Sequence, residues 1–132
     1  METKQVIVIA KYLNMRKGKC VAQGAHASMK VFFDRMKQVS FAPGGAGNYL
    51  LNITSEMTEW VNGKFTKICV SADSEKQLLD IYNKALAANL PCSLIRDSGL
   101  TEFSGVPTLT AVAIGPDDSD AIDKITGDLP LL

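Results

Sequence analysis

Residues 1–132 predict a three-layer α/β sandwich on a four-stranded mixed sheet, in the order β-α-α-β-α-β-β-α. Three observations predict it. Short β-branched runs are separated by segments whose apolar residues recur every three or four positions, which is the pattern of strands covered by helices. The last two strand-like runs are joined by a Gly/Pro-containing loop with no helical period, so a largely parallel sheet becomes mixed. The chain has 132 residues, 46% apolar and 21% charged. That is one domain, 1–132, long enough to hide roughly two-thirds of its unfolded surface.

The elements follow in order. Residues 4–10, Lys-Gln-Val-Ile-Val-Ile-Ala, form a β-branched run that reads as a buried strand. A polar loop with Asn14, Arg16, Lys17 and Gly18 leads into a helix from Lys19 to about Lys37. There Val21, Ala25, Met29, Phe32 and Met36 recur at helical spacing as the expected apolar stripe. Residues 40–52 carry Pro43-Gly44-Gly45-Ala46-Gly47-Asn48, which lacks the GxxxxGK[ST] spacing of a phosphate loop and reads as a mobile connection. Thr54 or Ser55 then caps a short helix carrying Met57, Trp60 and Val61 inward. Phe65–Ala72 is the second strand. Asp73 or Ser74 caps a helix with Leu78, Ile81, Tyr82 and Ala85, ending near Asn89. Pro91 blocks further helix, Cys92–Ile95 is the third strand, and Thr108–Ile114 is the fourth, ended by Gly115-Pro116. Ser119 caps a last helix that stops at Gly127.

Composition excludes several function classes. No apolar run approaches the 18 residues of a membrane span, and the five-residue run near the start is flanked by charge, unlike a signal peptide. A cytoplasmic protein without a membrane partner is expected. Cys20, Cys69 and Cys92 contain no CxxC pair, and His26 is the only histidine. No disulfide framework, no metal site and no cofactor are therefore expected. Net charge is zero, yet residues 1–37 hold eight Lys/Arg against two Asp/Glu, and the remainder holds six against twelve. Such a dipolar chain fits either a solvated helix face or a docking surface for a polyanion such as RNA. The sequence leaves a homodimer open.

On the first helix, Lys19, Gln23, His26 and Lys30 fall within about 60° of one another at 100° per residue. Their centre lies roughly 120° from that of the apolar stripe. A cation, an amide and an imidazole thus share one edge, and Lys19 lies near unpaired helix N–H groups that favour an anion. Cys20 lies about 120° around the helix from His26, too far for a local thiolate pair. No GxSxG elbow is present.

Four segments carry a family resemblance. Met15-Arg-Lys-Gly-Lys-Cys-Val-Ala-Gln-Gly-Ala-His-Ala27 resembles the (M)xKGKxxAQxxHA signature of type 2 peptidyl-tRNA hydrolases, the archaeal and eukaryotic type. Ser93-Leu-Ile-Arg-Asp-Ser-Gly-Leu-Thr-Glu102, Thr110-Ala-Val-Ala-Ile-Gly-Pro116 and Ile122-Asp-Lys-Ile-Thr-Gly-Asp-Leu-Pro-Leu-Leu132 resemble further blocks of that family, in the same order. The stretch from about Ser40 to Ile53 is longer than the family's usual connection. The segment between Asp97 and Gly115-Pro116 is one residue longer, so the family's strand threonine matches Thr110 with Thr108 as the alternative.

The resemblance implies the α/β sandwich and hydrolysis of the ester between a peptide and the terminal ribose of tRNA. It implies Lys19, Asp97 and Thr110 as catalytic residues, with Gln23, His26 and Thr101 around them. Arg16 and Lys17 flank that site as expected phosphate contacts. Asp97 would orient water or hold Lys19, Lys19 would stabilise the oxyanion or a phosphate, and Thr110 would bind water or the carbonyl. Two other classes compete: a non-catalytic RNA- or protein-binding module on the same fold, and a hydrolase of small esters or amides.

Overall fold

The computed structural model describes residues 1–100 and 102–132. Its elements are β1 (Thr3–Ala10), α1 (Lys17–Phe33), β2 (Met36–Phe41), β3 (Gly47–Leu51), α2 (Ser55–Asn62), β4 (Lys67–Ala72), α3 (Glu75–Ala87), β5 (Cys92–Asp97), β6 (Thr108–Asp118) and α4 (Ser119–Thr126). The main sheet has the order β4-β1-β6-β5. Among the described residues only β1 and β4 pair in parallel; β6 runs antiparallel to both β1 and β5. The mixed four-stranded sheet is present but less parallel than expected, because β6 returns along β5 and inserts beside β1.

Strand alternation divides the core in two. Val6, Val8 and Ala10 of β1 pack with Leu78, Ile81 and Ala85 of α3 and with Ile122 of α4. Ile7 and Ile9 point the other way, onto Ala27 and Val31 of α1 and Met57 of α2. These are the three layers. Thr54 caps α2 by accepting from the Met57 N–H, and Ser74 caps α3 by accepting from Gln77.

The first helix departs from expectation in length and in orientation. It ends at Phe33, and Met36 already belongs to β2. Its buried residues are Gln23, Gly24, Ala27 and Val31, whereas Val21 is 72% exposed and Met29 54%. The reason is closeness. A Cβ on Gly24 would lie 3.6 Å from the Ile7 side chain, so α1 meets the sheet through its small residues. Hydrogen bonds then fasten it: Ser28 donates to the Gln5 side chain, and Ser93 Oγ donates to the Ala27 carbonyl at 2.7 Å. Of the expected stripe, Phe32 is half-buried and stacks on Trp60 with ring centroids 5.8 Å apart.

Residues 40–52, expected as a mobile connection, instead contribute most of an ordered β2–β3 hairpin with its own two-stranded sheet. Met36 pairs with Leu51 and Phe41 with Gly47. A Cβ at Gly47 would collide with the Ser40 carbonyl, so this position requires glycine. The Ala42 N–H closes the loop on the Ala46 carbonyl at 2.7 Å.

Smaller corrections follow the same physics. β4 begins at Lys67, because Phe65 adopts a left-handed φ of 58° while its N–H closes on the Trp60 carbonyl. Val61 is 52% exposed, since α2 buries Met57 and Trp60 instead. Gly115-Pro116 does not end β6; the bond is cis, and the strand continues to pair Asp117 with Lys4 and Asp118 with Thr3. The α4 cap is the Asp118 carboxylate, which accepts from the Ala121 N–H, rather than Ser119.

Candidate active site

The candidate site lies where the start of α1 meets the end of β5. Lys19 lies in the first turn of α1, Gln23 one turn later, and Asp97 is the last residue of β5. Lys19 Nζ donates to Asp97 Oδ1 at 3.0 Å, and Gln23 Nε2 donates to the same oxygen at 3.3 Å. The other carboxylate oxygen accepts the Gly99 N–H at 2.9 Å. Lys19 and Asp97 side chains are each only 13% exposed.

Thr110 joins this group through a bulge. Ile95 pairs with Ala111 and Arg96 with Leu109, which leaves Thr110 as one extra residue on β6. Leu109 and Val112 pack on the α3 side and Ala111 on the α1 side. Strict alternation would send residue 110 toward α3; the bulge re-aims it toward α1. There its hydroxyl donates to Gln23 Oε1, and both residues are buried. That bond fixes the amide, since an oxygen occupied by Thr110 leaves Nε2 to face Asp97.

These contacts set the electrostatics. The Asp97 carboxyl is held below the usual carboxylate range, first by the Lys19 hydrogen bond. Partial burial opposes this, while the Gly99 N–H, the Lys19 charge and Gln23 reinforce it. Beside the pair, the Phe103 ring lies 5.8 Å from Lys19 Nζ.

The remaining expected residues lie around this centre. Thr108 stands opposite Asp97 in the strand register and donates its hydroxyl to the Val106 carbonyl at 2.8 Å. Thr101 lies outside the described residues. Arg16, 83% exposed, pairs with Glu102 at 3.0 Å, and Lys17 is exposed in the first turn of α1. Among the described residues that helix end has no side-chain cap, and its first turn holds no acidic residue. His26 and Lys30 lie further along α1 and line a groove against β5. Lys30 is paired with Asp34 at 3.0 Å. The Cys20 thiol is half-buried and turned to the Met15 carbonyl. Among the described residues, no three His, Cys, Asp or Glu side chains are gathered so as to hold a metal ion.

Sequence reading did not single out Glu102 or Phe103. Gly99 had a signal: Asp-Ser-Gly is a turn in which the carboxylate accepts the N–H two residues on. Gly99 has φ 84°, and a Cβ there would collide with Val106 backbone atoms. Phe103 had none, because nothing in local spacing announces a ring beside Lys19.

A family model described as "Peptidyl-tRNA hydrolase PTH2" matches residues 3–132. A protein of Methanocaldococcus jannaschii named peptidyl-tRNA hydrolase is 46% identical over 129 residues, 98% of this chain and 99% of its own. Proteins of the same name from Staphylothermus marinus and Methanopyrus kandleri are 40% and 38% identical. Those matches cover 99% and 98% of this chain, and 96% and 97% of theirs.

Proposed function

The chain belongs to the peptidyl-tRNA hydrolase PTH2 family, and from that premise we propose that it hydrolyses the ester joining a peptide, or an N-blocked amino acid, to tRNA. The observation that carries the chemistry is the enclosed Lys19–Asp97 pair with its Gln23–Thr110 support. Water must attack the ester carbonyl, and the developing oxyanion needs a fixed positive partner. Lys19 supplies that charge from a low-exposure position, where it acts more strongly than in bulk water.

Asp97 holds and orients Lys19. Its lowered carboxyl is a weak base at neutral pH, so proton abstraction is a poor use of it; accepting a hydrogen bond from the attacking water is a better one. Thr110 acts through Gln23, because it is fully buried and its hydroxyl is committed to the amide. The acid-free start of α1, with Arg16 and Lys17, suits phosphates near the tRNA 3′ end.

The test is release of an N-acetylated amino acid from its tRNA by the purified protein. Turnover should continue in the presence of a chelator. No release above the spontaneous rate by folded protein would contradict the proposal. Loss of turnover with chelator would contradict its metal-free chemistry.

A further inference from the structure

The two outer edges of the main sheet are treated differently. β4 is covered by the chain's own carboxy-terminal residues: Val70 bridges to Leu131, Ser71 N–H donates to Pro130, and Leu132 N–H donates to Cys69. Among the described residues, no strand pairs with the outer edge of β5. Gly115 N–H donates to the Pro91 carbonyl, and the register then sets Ser93 against Ala113 and Ile95 against Ala111. Antiparallel alternation therefore turns the backbone N–H and C=O of Leu94 and Arg96 outward. A bare edge of six residues is a ready template for an added strand, and proteins usually blunt such edges.

This edge borders a groove of about 520 Å³. Its opposite wall is α1, with His26, Met29, Lys30 and Phe33, and its strand side includes Leu94 and Arg96. Met29 and Phe33 are 54% and 53% exposed, so the wall is partly apolar. β5 runs toward Asp97, and α1 runs away from Lys19. The groove between them thus lies beside the candidate active site, with Arg96 next in the chain to Asp97 and His26 three residues on from Gln23.

We propose that the β5 edge binds the peptide portion of the substrate as an added parallel strand, with its esterified carboxyl end at Asp97. The inference rests on the hydrolase function proposed above. A peptide attached to tRNA varies in side chains but not in backbone, so a site that accepts many sequences must read the backbone. Strand addition does this with main-chain hydrogen bonds, leaving pockets only for alternate side chains. An RNA strand offers no such pairing, and the Lys30 ammonium in the wall is already matched by Asp34. Six residues of strand provide about 20 Å of edge, room for a short peptide.

The experiment compares tRNA esters carrying one N-acetylated residue or an N-acetylated pentapeptide, the latter also N-methylated at each peptide nitrogen in turn. KM for the pentapeptide ester should be about tenfold lower, the worth of roughly two net backbone hydrogen bonds. N-methylation should erase the gain at every second nitrogen and spare those between. Leu94→Pro removes an outward N–H, which an edge strand tolerates, and should likewise bring the two KM values together. If that variant does not fold, the N-methyl series on the unaltered protein decides alone. Equal KM values for the two esters, or N-methyl effects without a two-residue period, overturn the inference while the hydrolase function stands. Failure to hydrolyse either ester overturns that function and this inference with it.

Discussion

Thr110 shows how single residues prepare the site. Its hydroxyl holds the Gln23 carbonyl oxygen, so the amide nitrogen is directed at Asp97. Thr110→Val removes that donor and leaves a buried amide oxygen unpaired; kcat should fall about tenfold. Thr110→Ser keeps the hydroxyl and should retain most of the rate, a contrast that simple loss of packing would not produce. Asp97 carries a pH signature. Because its folded carboxyl lies below the usual value, the ion pair's contribution to stability is complete above the unfolded carboxylate range, near pH 4, and is lost as pH falls through the folded value. The unfolding free energies of the parent and Asp97→Asn should therefore differ by a constant amount from pH 5 to 8. The gap should narrow at pH 3; denaturant titrations at both ends check this. Lys19, Gln23 and Asp97 were legible in the sequence through helical spacing and block order. The bulge that re-aims Thr110 was not, since one extra residue in a strand leaves no mark in composition.

At the scale of elements, periodicity located strands and helices but misjudged which side of α1 is buried. The stripe of Val21, Ala25 and Met29 is apolar yet exposed, while Gln23 and Gly24 lie against the sheet. Apolar spacing reports greasiness, whereas this contact depends on small size and on polar groups that find partners. Gly24 tests it. A Cβ there would meet only ordinary contacts at 3.6 and 3.9 Å, so Gly24→Ala should be neutral or stabilising by up to about 1 kcal/mol. Gly24→Leu should cost about 1–3 kcal/mol by overpacking against Ile7. Urea midpoints of the two variants measure both. The β2–β3 hairpin escaped the sequence for a related reason. In β2 the alternation is inverted, with Val39 and Phe41 exposed and Gln38 and Ser40 half-buried, and in β3 Tyr49 and Leu50 are both exposed, so apolar spacing does not report an inner face.

For the whole molecule, the chain's uneven charge becomes a spatial statement. Lys19 is drawn into the site, Lys30 is paired with Asp34, and Arg16 is paired with Glu102, while Lys17 stands exposed at the open end of α1. Binding of tRNA should weaken steeply with salt as condensed counterions are released. Lys17→Ala should flatten that slope by up to about one unit, and Arg16→Ala by less, because Glu102 already answers its charge. An unchanged slope in both variants would make this surface a solvated face. The fold was legible from periodicity, and the hydrolase family from four ordered segments. The enclosure of the lysine–aspartate pair was not, because it joins positions 78 residues apart. Its chemical role is most directly tested by single-turnover hydrolysis of N-acetylated aminoacyl-tRNA with the parent protein and with Lys19→Ala. The predicted result is rapid release by the parent and a rate lowered about a hundredfold or more in the variant. A folded Lys19→Ala protein that releases the amino acid at the parent's rate would contradict it.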